Sequence, residues 1–237
     1  MGHLKILFDV MKRPVAKLGL LFFIAMASQA ISSSNNDHLA VLRTSEFPRY
    51  HKLLISKLGA TPYDVGRVLV CPAFGPEYSV SVYTKRMAGK RRYRITWIGA
   101  TQTIWGSTNG GNDERGILEV NTSRVDADIS KSTAELLEEV WSRMLDQAKG
   151  KTPPTGNWQK IPVDSTNIEW YQQTSRDNLA AAKLNNYIPI GPKTAQFVRL
   201  TTELLPKYCK ARTDARQALT QAIESDARKL LGKISKD

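Results

Sequence analysis

The stretch from residue 77 to 104 constrains the fold more than any other part of this 237-residue chain. From Glu77 to Thr84 the side chains alternate: Tyr78, Val80 and Val82 on one side, Ser79, Ser81 and Tyr83 on the other. Successive strand residues point to opposite faces, so this alternation describes a half-buried strand. Gly89 marks a turn. Arg92 to Ile104 then repeats the pattern with Tyr93, Ile95 and Trp97 on one face. The alternation slips at Gly99, where Ile98 and Ala100 take over, which predicts a bulge or bend. Val68-Leu69-Val70-Cys71, ended by Pro72, reads as a preceding strand, and Ile117 to Val120 as a following one. Short successive connections make residues 65–121 an antiparallel meander.

Helical spacing dominates elsewhere. Tyr50, Leu53, Leu54 and Leu58 share a helical face, and Gly59 is a plausible stop. Residues 132–149 carry the clearest amphipathic stripe: Leu136, Leu137, Val140, Trp141, Met144, Leu145 and Ala148. Ser132 with Glu135 is read as a capping box, and Gly150 as the C′ residue. Residues 151–156 read as a linker or turn. Asn167 to Gln173 reads as one more strand, followed by a polar loop to about Pro192. Residues 193–205 and 210–234 are helical, with a kink or break at Pro206, which cannot donate to the i−4 carbonyl. The fold class that follows is α+β: an antiparallel meander of four to five strands, packed on one face by the helices of 132–149 and 193–234. Residues 38–237 are expected to form a single domain.

The first 30 residues have another character. Lys12, Arg13 and Lys17 precede the ten-residue apolar stretch Leu18 to Ala27, and Ala27-Ser28-Gln29-Ala30 offers small residues at both cleavage positions. This is the layout of a secretory signal peptide, cut near Ala30. The stretch is too short for a spanning helix, which takes roughly 20 apolar residues. Translation starts at Met1 or at Met11. Residues 31–37 read as a flexible leader. The expected location is periplasmic or secreted, with no integral membrane segment after cleavage. An oxidising compartment and an even cysteine count predict one disulfide between Cys71 and Cys209.

Several function classes lack their signatures. No G-x-S-x-G or G-x-G-x-x-G occurs. Gly150-Lys151-Thr152 resembles the end of a phosphate-binding loop, but Leu145 stands where the first glycine belongs, and the stretch follows a helix. His38 and His51 are the only histidines of the mature chain. No catalytic residue is assigned, and no metal site or cofactor is expected. Asp64, Glu77, Glu119 and Glu169 lie in or near strands, and nothing local selects among them. The five tryptophans, including Trp105 and Trp158, read as core or core-edge residues.

One cluster stands out. Lys85, Arg86, Lys90, Arg91, Arg92 and Arg94 put six cations into ten residues around the hairpin turn, between Tyr83 and Tyr93. Arginine in such a cluster can hold phosphate or carboxylate groups in two-pronged contacts. The chain carries a net charge of +12, which favours anionic partners. Glu77-Tyr78-Ser79-Val80-Ser81-Val82-Tyr83, Tyr93-Arg94-Ile95-Thr96 and the late Tyr208-Cys209 resemble a group of uncharacterised exported bacterial proteins of no assigned function. The resemblance covers roughly residues 65–210. It implies a bacterial, periplasmic setting and transfers no site. The expectation is a non-enzymatic periplasmic binding or interaction protein that recognises an anionic envelope component or an acidic protein through the basic hairpin. Nucleic acid is not the expected partner. The alternatives are an envelope-directed hydrolase using scattered carboxylates and a structural envelope protein.

Overall fold

The computed structural model describes residues 39–42, 48–107, 120–148, 166–173, 179–184 and 190–235. All described elements belong to one unit, Asn36–Asp237. The expected signal peptide (1–30), the leader (31–37), His38, most of the strand expected at 117–120, Gly150, the linker at 151–156 and Trp158 lie outside the described residues.

The architecture is α+β. Strands β1 (Ala40–Val41), β2 (Gly66–Cys71), β3 (Tyr78–Met87), β4 (Lys90–Ala100), β5 (Thr122–Ile129), β6 (Asn167–Gln173) and β7 (Leu179–Lys183) form one sheet in the order β1-β7-β6-β2-β3-β4-β5. Every pairing is antiparallel. Of the expected meander, the strands read at 68–71, 77–84 and 92–104 are present as β2, β3 and β4, the last ending at Ala100; the next strand, β5, lies at Thr122–Ile129, past the segment 117–120 where one was expected. The expected strand Asn167–Gln173, β6, pairs with the free side of β2, and β7 and β1, which were not expected, make the sheet larger.

No bulge interrupts β4. Its register runs unbroken through Gly99, which lies opposite Tyr78 on β3 and Ser123 on β5. The slip in alternation has a different cause, because the strand is buried on both faces. Ile95 and Trp97 face one layer; Ile98 and Ala100 face the other. Gly99 is required by space. A Cβ there would stand 2.2 Å from the Trp97 ring, which lies across it.

One face of the sheet carries Val68, Val70, Val80, Val82, Ile95, Ile168 and Trp170 against the helices. These are α3 (Lys131–Ala148), α4 (Pro192–Arg199), α5 (Leu205–Lys210) and α6 (Thr213–Ile234). Trp141, Trp170 and Phe197 meet at the centre of this layer, with ring centroids 5.2–5.5 Å apart. Helix α3 starts one residue before the expected cap. Ser130 is its cap: Ser130 Oγ accepts the Thr133 amide at 3.0 Å.

Pro206 does not break its helix. Residues Leu200–Leu204 form a π-turn between α4 and α5, in which the Leu205 amide donates to the Leu200 carbonyl. The wider turn absorbs the proline. In an α-helix the Thr202 carbonyl would take the amide that Pro206 lacks. Here it accepts the Tyr78 hydroxyl at 3.2 Å. The break comes later, at Ala211 and Arg212.

The opposite face is covered by α1 (Pro48–Leu58) and the one-turn α2 (Ile104–Ser107). Leu54, Leu58, Leu69, Ile98, Ile104 and Tyr171 form a smaller apolar cluster there. Polar residues are buried beside it: Arg67, Glu77, Ser79, Ser81, Thr96 and Glu169. Among the described residues, no helix is long and apolar enough to cross a membrane.

Candidate functional site

The six cations occupy the distal part of the β3–β4 hairpin. The turn residues Ala88 and Gly89 have φ of 49° and 76°. A two-residue hairpin loop of type I′ needs positive φ at both, and glycine adopts it at no steric cost while alanine does not. The pairing of Met87 with Lys90, Arg86 with Arg91 and Lys85 with Arg92 fixes which side chains share a face. Lys85, Lys90, Arg92 and Arg94 lie on the α1 side of the sheet. Arg86 and Arg91 lie on the side of α3 to α6.

Both neighbouring strands stop short of this end. β2 begins at Gly66, opposite Val82, and β5 ends at Ile129, opposite Tyr93. Residues 85–87 and 90–92 therefore pair only with each other and form an arm roughly 10 Å long at about 3.4 Å per residue. Lys85, Arg86, Lys90, Arg91 and Arg92 are exposed. Arg94 and Arg92 are drawn to Asp128 of β5, at 3.3 and 3.9 Å. Among the described residues, Lys85, Arg86, Lys90 and Arg91 have no ion pair. Arg91 lies over the Tyr93 ring, 5.4 Å from its centroid. Tyr83 and Tyr93 are buried, with 4% and 8% exposure, so the arm has no open aromatic platform on them.

The base of the arm is held by hydrogen bonds that no local pattern announces. Asp64 accepts the Thr84 amide at 2.9 Å and the Thr84 hydroxyl, standing in for the missing β2 partner. Tyr83 Oη and Thr96 Oγ1 lie 3.3 Å apart, and the Thr96 hydroxyl donates to Asp126. Arg124 donates to both oxygens of Asp126 at 3.0 Å. Burial raises the Asp126 carboxyl, but the donors Arg124 and Thr96 outweigh it and hold the group below its ordinary range.

A second cluster lies under α1, and sequence reasoning missed it. His51 of α1 turns toward the sheet. Its Nε2 is 2.8 Å from Glu169 and 2.8 Å from the Tyr171 hydroxyl, both on β6. Tyr171 donates to Glu169, and Asn167 donates to it at 3.1 Å. The hydrogen bond to Glu169 raises the His51 imidazole above its ordinary value, against a smaller loss from burial. Burial pushes the Glu169 carboxyl up, but its three donors prevail and hold it below the usual range. Next to this group, Glu77 is 2% exposed. It accepts the Tyr50 hydroxyl at 2.5 Å and the Ile104 and Trp105 amides at 2.6 and 2.9 Å. Glu77 and Glu169 are thus each engaged by three donors. The alternation of β6 was visible in sequence, but a partner for Glu169 118 residues away was not.

The expected Cys71–Cys209 disulfide is corrected: both thiols are free. The sheet separates them. Cys71 ends β2 on the α1 side, against the smaller cluster. Cys209 of α5 packs in the helical layer and donates to the Val125 carbonyl at 2.9 Å. Burial raises the Cys71 thiol strongly, with Glu169 and Glu77 adding to the shift. Burial also lifts the Cys209 thiol, to about 11. Neither is disposed to act as a nucleophile at neutral pH. Among the described residues, no group of three His, Cys, Asp or Glu side chains could hold a metal ion.

The chain is thus an α+β protein with a seven-stranded antiparallel sheet, helices on both faces and a cationic arm at one end. Comparison with protein-family models, with curated proteins and with solved structures finds no match.

Proposed function

We propose that this is a non-enzymatic binding protein of the bacterial periplasm, and that the cationic arm is its contact with an anionic partner. The observation that carries the reading is the register of the arm. Arg86 faces Arg91 and Lys85 faces Arg92 in directly opposed pairs. Like charges directly opposite one another destabilise a strand pair. An anionic partner would relieve that repulsion. Arginine in particular would gain from two-pronged contacts with carboxylate or phosphate.

The rival reading is hydrolysis by paired carboxylates. It needs carboxylates free to exchange protons with a substrate. Glu77 and Glu169, both buried, are each held by three donors, which come from α1, α2 and β6. That favours binding over hydrolysis.

The test compares the mature protein with the double variant Arg91→Glu/Arg92→Glu on an immobilised polyanion, eluted by a salt gradient. The variant is expected to elute at much lower salt, with an unchanged circular dichroism spectrum. Coincident elution of the two folded proteins would refute the assignment.

A further inference from the structure

The cations of the arm are divided between its two faces, and this bears on the shape of what it meets. Lys85 and Lys90 point to the α1 side, Arg86 and Arg91 to the side of α3 to α6, and among the described residues none of the four has an ion pair. A planar surface touches one face of a two-stranded ribbon. It would leave two of the four cations directed away from it. The arm also runs past the ends of β2 and β5, so among the described strands its two edges are unpaired, and exposed side chains stand on both of its faces. Its tip is Met87, 41% exposed, followed by Ala88 and Gly89. A small, adaptable apolar tip suits insertion into a cleft. Stacking of nucleic-acid bases would need open aromatic faces, and Tyr83 and Tyr93 are buried.

We propose, building on the assignment of the arm as the binding element, that its partner is an acidic polypeptide that grips it from both faces, with carboxylates meeting Lys85 and Lys90 on one side and Arg86 and Arg91 on the other. The arm supplies the rigid part of the contact. Asp64 and the Tyr83–Thr96–Asp126–Arg124 chain of hydrogen bonds fix its base. A ribbon fixed in this way loses little conformational freedom on binding, which favours affinity.

The experiment uses polyglutamate peptide as the probe, with vesicles containing phosphatidylglycerol as the planar anionic comparison. Two variants are compared, Lys85→Glu/Lys90→Glu and Arg86→Glu/Arg91→Glu. Each removes two positive charges and adds two negative ones. A control, Lys52→Glu/Lys229→Glu, makes the same change in net charge at exposed positions on α1 and α6. Circular dichroism establishes that each variant is folded. Each arm variant is expected to weaken polyglutamate binding about tenfold or more at moderate salt, with the control much closer to the parent. If only one face matters and the other behaves like the control, the two-sided grip is wrong while the arm remains the binding element. If vesicles bind in an arm-dependent manner and polyglutamate does not, the partner is a lipid surface and the proposal is overturned. If neither arm variant differs from the control, the assignment of the arm as a binding element falls as well.

Discussion

The contact between His51 and Glu169 gives a quantitative test of the α1 side of the sheet. The perturbation is His51→Gln, which keeps a donor near Glu169 but removes the titration. Glu169 is 4% exposed, and the His51 side chain is one-quarter exposed. A charge-assisted hydrogen bond between such groups contributes about 1–2 kcal/mol once solvent screening at His51 is discounted. The pH dependence follows from the direction of the shifts. The His51 value is raised on folding, so its contribution is fully present below the ordinary histidine value of about 6.5 and is lost as pH rises through the raised value. The Glu169 value is lowered, so its contribution is present above the ordinary carboxylate value and is lost only as pH falls through the lowered one. Urea denaturation of both proteins from pH 5 to pH 9 reads the difference in unfolding free energy. It should be largest near pH 5–6 and shrink steadily above that. A difference that stays flat or grows between pH 6 and pH 9 would refute the coupling of α1 to β6 through this pair.

Three further outcomes follow from the geometry. Ala88→Gly removes a non-glycine residue from the left-handed region and should stabilise the hairpin by about 1 kcal/mol, seen as a rise in the urea midpoint. Gly99→Ala places a Cβ into the Trp97 ring and should cost about 1–3 kcal/mol, with a change in tryptophan fluorescence as the ring is displaced from Lys210, whose Nζ lies 3.5 Å from its centroid. Both thiols should react with an alkylating reagent in denaturant without prior reduction, detected by intact mass; a protein that gains alkyl groups only after reduction would contradict the separation of Cys71 from Cys209 by the sheet.

Several elements could be read from their own residues. The alternation of Tyr78, Val80 and Val82 belongs to a strand in any context that offers an apolar layer, and β3 is that strand. The stripe of α3 is equally self-contained, and so is β6, whose bounds Asn167–Gln173 were expected from sequence. The β5 segment Thr122–Ile129 alternates too, with Val125, Ala127 and Ile129 set against Arg124, Asp126 and Asp128. Its aspartates disguise it, because that residue is depleted in strands. β7 could not have been found this way. Leu-Ala-Ala-Ala-Lys carries helical propensity, and its pairing with β6 overrides it.

The sequence by itself determined the strong periodicities, those of β3, β6 and α3 among them, and that six cations crowd one turn. Tertiary structure decided what lies on the second side. It divided those cations between two faces, brought His51 to Glu169, set the cysteines on opposite sides of the sheet and let a π-turn absorb Pro206. The physical reason is that a periodicity records one buried face of one element, while partners more than 100 residues apart are chosen by how whole layers close over each other.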